Sequence, residues 1–156
     1  MIRQKLIELF RYNDWAHQRI LDAIGKLDDQ QESLRLFSHL INAQDIWMQR
    51  VQKANTNEKV NWMEAEYSLD QCRDEWRRSL NAWTELLEKL PDSDLAKEIK
   101  YAASDGGSFV STIEEIATQL CLHNVHHRAQ IARIIRQQGH VPPTTDNIFM
   151  TRKRVS

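Results

Sequence analysis

Apolar residues recur along this chain at spacings of three and four, the rhythm of helices with one buried face. From Ile2 to Leu27 the column is Leu6, Leu9, Phe10, Ile20, Leu21, Ile24 and Leu27. Asn13 and His17 fall on the same column, one turn apart. Trp15 falls on the opposite face, where it either packs on a neighbouring element or marks a subunit interface. The polar stretch LDDQQES ends this helix. A second helix is expected from Ser33 to Ala54, on a stripe of Phe37, Leu40, Ile41, Trp47, Met48 and Val51, with His39 to one side. Residues 55–67 read as a loop anchored by Trp62 and Met63. The third helix, Leu69 to Leu90, has the cleanest stripe: Leu69, Cys72, Trp76, Leu80, Trp83, Leu87 and Leu90. Its tryptophans read as core, and Pro91 stops it.

Residues 95–111 break the rhythm. Ile99 and Tyr101 alternate with polar positions, and Asp105-Gly106-Gly107 is a turn signal, so a short β-hairpin is expected. Thr112 with Glu115 three positions on forms a capping box for a last helix running to about Gln138, where Gly139 ends it. The two prolines that follow cannot be helical. Only four glycines and three prolines serve the whole chain, which favours long helices over many strands and turns. The expected fold is therefore all-α, a four-helix bundle forming one domain over residues 1–156, with a short β-hairpin before the last long helix.

Charge narrows the function. The net charge is −1, and the basic cluster Arg152-Lys153-Arg154 is short and terminal, so nucleic acid is not an expected partner. No apolar run approaches a membrane span or the core of a signal peptide, which makes the cytoplasm the expected compartment. Cys72 and Cys121 fit no CxxC pattern and read as free thiols in the core, although Cys121 lies two residues before His123.

Three of the six histidines crowd into HNVHHRAQ, residues 123–130. On a helix, His123 and His127 fall on the stripe of Ile113, Ile116, Leu120, Ile131 and Ile134, while His126 points away. Two imidazoles one turn apart on one face can share a metal ion. A zincin protease also needs glutamate directly after the first histidine, and here that residue is Asn124. A third ligand is required. His140 sits in the tail; His17 and His39 both remain, and the pattern alone slightly favours His17.

Four segments in order resemble the DinB/YfiT-like family. YNDWAHQRIL (12–21) resembles its opening helix, and LFSHLINAQDIWMQRV (36–51) the helix bearing its first metal histidine. HNVHHRAQI (123–131) is close to its His-x-x-x-His-Arg-Gly-Gln segment, and GHVPPTTDNIF (139–149) resembles its Pro-rich tail. The resemblance covers almost the whole chain. It implies an up-down-down-up bundle and a divalent metal, often zinc or nickel, held by His39, His123 and His127. His17, where the family usually has Asn, then becomes a pocket or supporting residue. Ala129 stands where the family usually has Gly.

Three imidazoles leave a coordination position open, the mark of a catalytic rather than a structural site. Some members of the family are transferases of low-molecular-weight thiols. The leading expectation is thus a metal-dependent thiol S-transferase acting on small molecules, with Arg128 or His17 as candidates for orienting substrate. Arg128 also reads as a surface salt bridge. The alternatives are a metal-dependent hydrolase, with Asp45 or Asp146 as base, and a non-catalytic metal- or small-molecule-binding protein of stress response. A homodimer is expected.

Overall fold

The computed structural model describes residues 1–53 and 65–156, so the anchoring expected of Trp62 and Met63 lies outside the described residues. Four long helices carry the fold: α1 (Ile2–Ile24), α2 (Gln31–Lys53), α3 (Leu69–Lys89) and α4 (Ile113–Gln137). Between α3 and α4 come a 3-10 turn (Asp92–Ala96) and the antiparallel strands β1 (Glu98–Ala102) and β2 (Ser108–Thr112). A short helix α5 (Asn147–Thr151), not foreseen in the sequence, ends the chain's regular structure.

The termini follow local chemistry. Ser68 and Gln71 cap α3 reciprocally, and Thr112 and Glu115 do the same for α4. The hairpin turns through Gly106, and α4 closes at Gly139, both in the left-handed region that glycine enters without strain. α1 stops at Ile24, short of Leu27, but Leu27 stays buried in the turn that follows. α2 starts two residues earlier than the apolar stripe suggests, because the Asp29 carboxylate accepts from the Gln31 amide.

Cross-helix bonds give the directions. Asp14 meets Trp76 and Asp22 meets Arg73, so α1 and α3 are antiparallel. Ser38 lies by Cys72 and Gln44 bonds Ser79, so α2 and α3 run parallel. Asn13 bonds the Cys121 carbonyl and Gln138 bonds Asp29, so α1 and α4 are parallel. α2 packs antiparallel on α4, and α1 and α2 stand across the diagonal. This is the up-down-down-up arrangement.

The core falls into two apolar clusters. One gathers Phe10, Trp83, Leu87, Ile99, Ile116 and Leu120; the other gathers Ile20, Ile24, Phe37, Trp76, Ile131 and Ile135. Between them lies a layer of buried polar side chains: Asn13, His17, Gln44, Ser79, Asn124 and Arg128. No described helix is long and apolar enough to cross a membrane.

Candidate metal centre

His39 from α2 and His123 and His127 from α4 converge on the α2–α4 seam. The antiparallel packing of these helices brings positions 84 residues apart into contact. The Nε2 atom of His123 lies 3.2 Å from that of His39 and 3.0 Å from that of His127. One ring nitrogen cannot satisfy both neighbours by hydrogen bonding, since a neutral imidazole nitrogen either donates one proton or offers one lone pair. Nitrogens bound tetrahedrally to zinc at 2.0–2.1 Å stand about 3.3 Å apart, close to the two separations at His123.

Tautomer and charge favour the same outcome. The Nδ1 atom of His127 is 2.6 Å from the Gln130 side-chain oxygen, an acceptor, so Nδ1 carries the proton and Nε2 keeps its lone pair. Burial, then the facing imidazoles of His127, His39 and His126, push His123 down to about 4. Burial lowers His127 as well, against an upward pull from Gln130 and with His39 and His126 adding to the fall. Both rings are thus neutral at physiological pH and available as ligands. The donor set fits a divalent transition metal.

The triad sits at the rim of the core. All three rings are half-buried, whereas the buried face of α4 holds Ile116, Leu120, Ile131 and Ile134 and extends through Asn124 and Arg128. His123 and His127 therefore flank the core stripe and do not displace core residues, which corrects the expectation from periodicity. His126 is exposed, with its ring 4.9 Å from that of His127. A groove of about 270 Å³ opens beside the triad, lined by His39, His123, Ala43, Trp47, Gln119 and Leu120. Trp47 is held against it by the Arg50 guanidinium, 4.4 Å from its ring centre, and by an edge-on contact with Tyr101.

The other candidates lie elsewhere. His17 does not join the triad and does not line the groove. It is wholly buried in the polar layer, against Trp76 and Phe37 at ring separations of 4.2 and 5.0 Å. The cause is the diagonal relation of α1 and α2: the inward face of α1 looks at the bundle centre, not at the α2–α4 seam. Arg128 is not a surface salt bridge either. Its guanidinium is buried and donates to Asn13 Oδ1 and the Tyr12 hydroxyl, each at 2.8 Å. Tyr12 in turn donates to the Thr145 carbonyl, which ties the Pro-rich tail to the body. Asp45 is engaged by Arg78, and Asp146 precedes α5 on the tail, so the structure brings neither to the triad. Cys121 is a core thiol pushed up to about 12 by burial, unsuited to act as ligand or nucleophile. Trp15 is half-buried beneath the Arg19 guanidinium.

The polar layer was missed in the sequence except at Asn13 and His17. Gln44, Asn124 and Arg128 sit at helical spacing with apolar neighbours, and that was the available signal. Neither ring nitrogen of His17 has a hydrogen-bond partner. Burial, reinforced by the Arg128 charge, holds its pKa well below 6.5. Below pH 6.5 the unfolded chain takes up a proton at position 17 that the folded chain refuses. The stability owed to neutral His17 is present above pH 6.5 and drains as pH falls toward the folded-state value, by up to about 1.4 kcal/mol per pH unit. Urea unfolding at pH 7 and pH 5 is expected to show wild type losing about 1.5 kcal/mol more than His17→Gln over that interval. Parallel profiles for the two proteins would show that the folded chain accommodates the charged ring.

The sequence pattern of the DinB family matches residues 1–154 of the 156-residue chain. No curated protein matches it. The family match and the three-histidine cluster are together compatible with a metal-binding protein.

Proposed function

This chain belongs to the DinB family, and from that membership and its clustered imidazoles we propose that it is a divalent-metal-dependent thiol S-transferase, with His39, His123 and His127 as the metal ligands. The observation that carries the proposal is the convergence of three Nε2 atoms from two helices beside an open groove. Zinc or nickel suits the donor set, and availability decides between metals of similar affinity. Held by His39, His123 and His127, a divalent ion would supply Lewis acidity that favours the deprotonated form of a small thiol.

The chain's own residues do the rest. Gln130 fixes the His127 ring so that its Nε2 lone pair faces the cluster. No carboxylate joins the three histidines among the described residues. The groove beside the triad opens to solvent, which can take the thiol proton. The sulfur electron pair then forms a bond to an electrophilic carbon, and the leaving group departs with the electrons of the bond that breaks. Ala43, Trp47 and Leu120 give the electrophile an apolar surface.

The three-imidazole cluster beside an apolar groove supports thiol transfer. A water nucleophile benefits from a general base, whereas a thiolate needs none. Elemental analysis of untagged protein is expected to find about one equivalent of transition metal in wild type and none in His39→Ala. Metal-loaded wild type should then consume an electrophile only when thiol is present. No metal in either protein after incubation with zinc and nickel would defeat the proposal. Metal without thiol-dependent turnover would leave a binding protein.

A further inference from the structure

The α2–α4 seam does not end at the triad. On the side away from Trp47 it opens into a second depression of about 390 Å³, lined by Glu32, Arg35, Leu36, Gln130, Arg133 and Gln137, with Ile134 at its floor. Its character is opposite to that of the apolar groove. Two guanidinium groups reach it from facing helices, against one carboxylate. Among the described residues neither Arg35 nor Arg133 has a carboxylate partner. Gln130 belongs to both regions, since it lines this basin and holds His127. The seam thus presents, in order, an apolar groove, three imidazoles and a net-positive basin.

Building on the thiol-transfer reading, we infer that this basin binds the carboxylate of the thiol substrate, with Arg35 and Arg133 as its anchors. The apolar groove is left for the electrophile. The preferred thiol is therefore anionic, and it carries its charge at a distance from sulfur. Arg35 precedes His39 by one helical turn, about 6 Å along the axis, and Arg133 lies six residues beyond His127, about 9 Å. A carboxylate gripped between them is several bonds from a sulfur at the triad, which excludes thiols whose two groups are vicinal. Arginines from two helices also suit a planar carboxylate, which accepts paired N–H donors. The stronger-bound end of the thiol then fixes its sulfur at the imidazoles while the electrophile exchanges on the other side.

The test uses the full chain loaded with cobalt(II), whose near-ultraviolet sulfur-to-metal absorption reports thiol binding without turnover. The probes are mercaptohexanoate, its neutral counterpart mercaptohexanol, and the short acid mercaptoacetate. Wild type is expected to bind mercaptohexanoate about 10-fold more tightly than mercaptohexanol, the worth of one charge-assisted hydrogen bond. The Arg35→Gln/Arg133→Gln double variant should lose that preference and bind mercaptohexanol unchanged. Mercaptoacetate should show no dependence on the two arginines. Equal affinity for the long acid and the alcohol in wild type would overturn the inference and leave thiol binding at the triad intact. So would a preference for the acid that survives in the double variant. If no thiol produces the absorption at all, the thiol-transfer reading itself fails, a separate and recognisable result.

Discussion

Replacing His123 by alanine is expected to abolish metal retention and thiol-dependent turnover together while the fold survives. His123 occupies the middle of the cluster, with its Nε2 as the common neighbour of the other two rings. Without it the remaining nitrogens come from separate helices and form a two-ligand site. Loss of a group that merely supports a metal ligand already costs 10–100-fold in affinity or activity, so removing the central ligand should cost more than about 100-fold in kcat/KM. The fold should tolerate the change, because the ring sits half-buried at the rim and its nearest polar neighbours are the two other histidines. The metal-free variant should unfold within about 1 kcal/mol of metal-free wild type. Metal content, kinetics with a thiol and an electrophile, and urea unfolding check the three parts. Transferase activity persisting in metal-free His123→Ala would sink the metal-dependent mechanism.

Arg128→Ala is expected to act in the opposite manner, costing stability first. The substitution deletes two buried, charge-assisted bonds, leaves Asn13 Oδ1 without its donor and opens a void between α1 and α4. A hydrogen bond to a charged group is worth about 1.5–3 kcal/mol, and an orphaned acceptor adds to the loss. Relief of the guanidinium's own desolvation, which holds its pKa below the ordinary arginine value, offsets part of this. The net expectation is a loss of about 2–4 kcal/mol in denaturant unfolding. Tyr12 also loses its link to α4 while keeping its bond to the Thr145 carbonyl. Amide exchange in residues 141–146 should therefore quicken more than in α3. A variant as stable as wild type would show that the polar layer is dispensable.

Much of this architecture was legible because helices announce themselves locally. The stripe of α3, the capping boxes at Ser68 and Thr112 and the glycines of the hairpin turn each fix structure within a few residues. The imidazole cluster was legible only in part. The i, i+4 pair of His123 and His127 is a local signal, but the third imidazole depends on which helices adjoin. Periodicity slightly favours His17 over His39, whereas the family resemblance implies His39; the diagonal placement of α1 against α2 keeps His17 away from the His123–His127 pair and sets His39 beside it. The same limit explains Arg128. A lone arginine in a stretch of histidines reads as surface, and only the approach of α1 supplies Tyr12 and Asn13 to receive it. The buried face of α4 keeps Ile113, Ile116, Leu120, Ile131 and Ile134 and extends from them through Asn124 and Arg128, which hydrophobicity alone counts as exterior.

The polar layer has a consequence for alignment. Apolar clusters above and below it are built from similar side chains, and leucine or isoleucine tolerates a neighbour one turn away almost as well as the native one. A bundle held by those clusters alone has weakly specified register. The chain Ser79–Gln44–Asn124 links α3, α2 and α4 at one level, and Arg128–Asn13 links α4 to α1 at the next. Sliding any helix by one turn, about 5.4 Å, would set these groups against hydrocarbon and leave them unpaired. The layer works as a ruler for the four helices. His39 meets His123 and His127 only when α2 and α4 stand at the mark it sets, so the accuracy of the imidazole cluster is stored in side chains outside it.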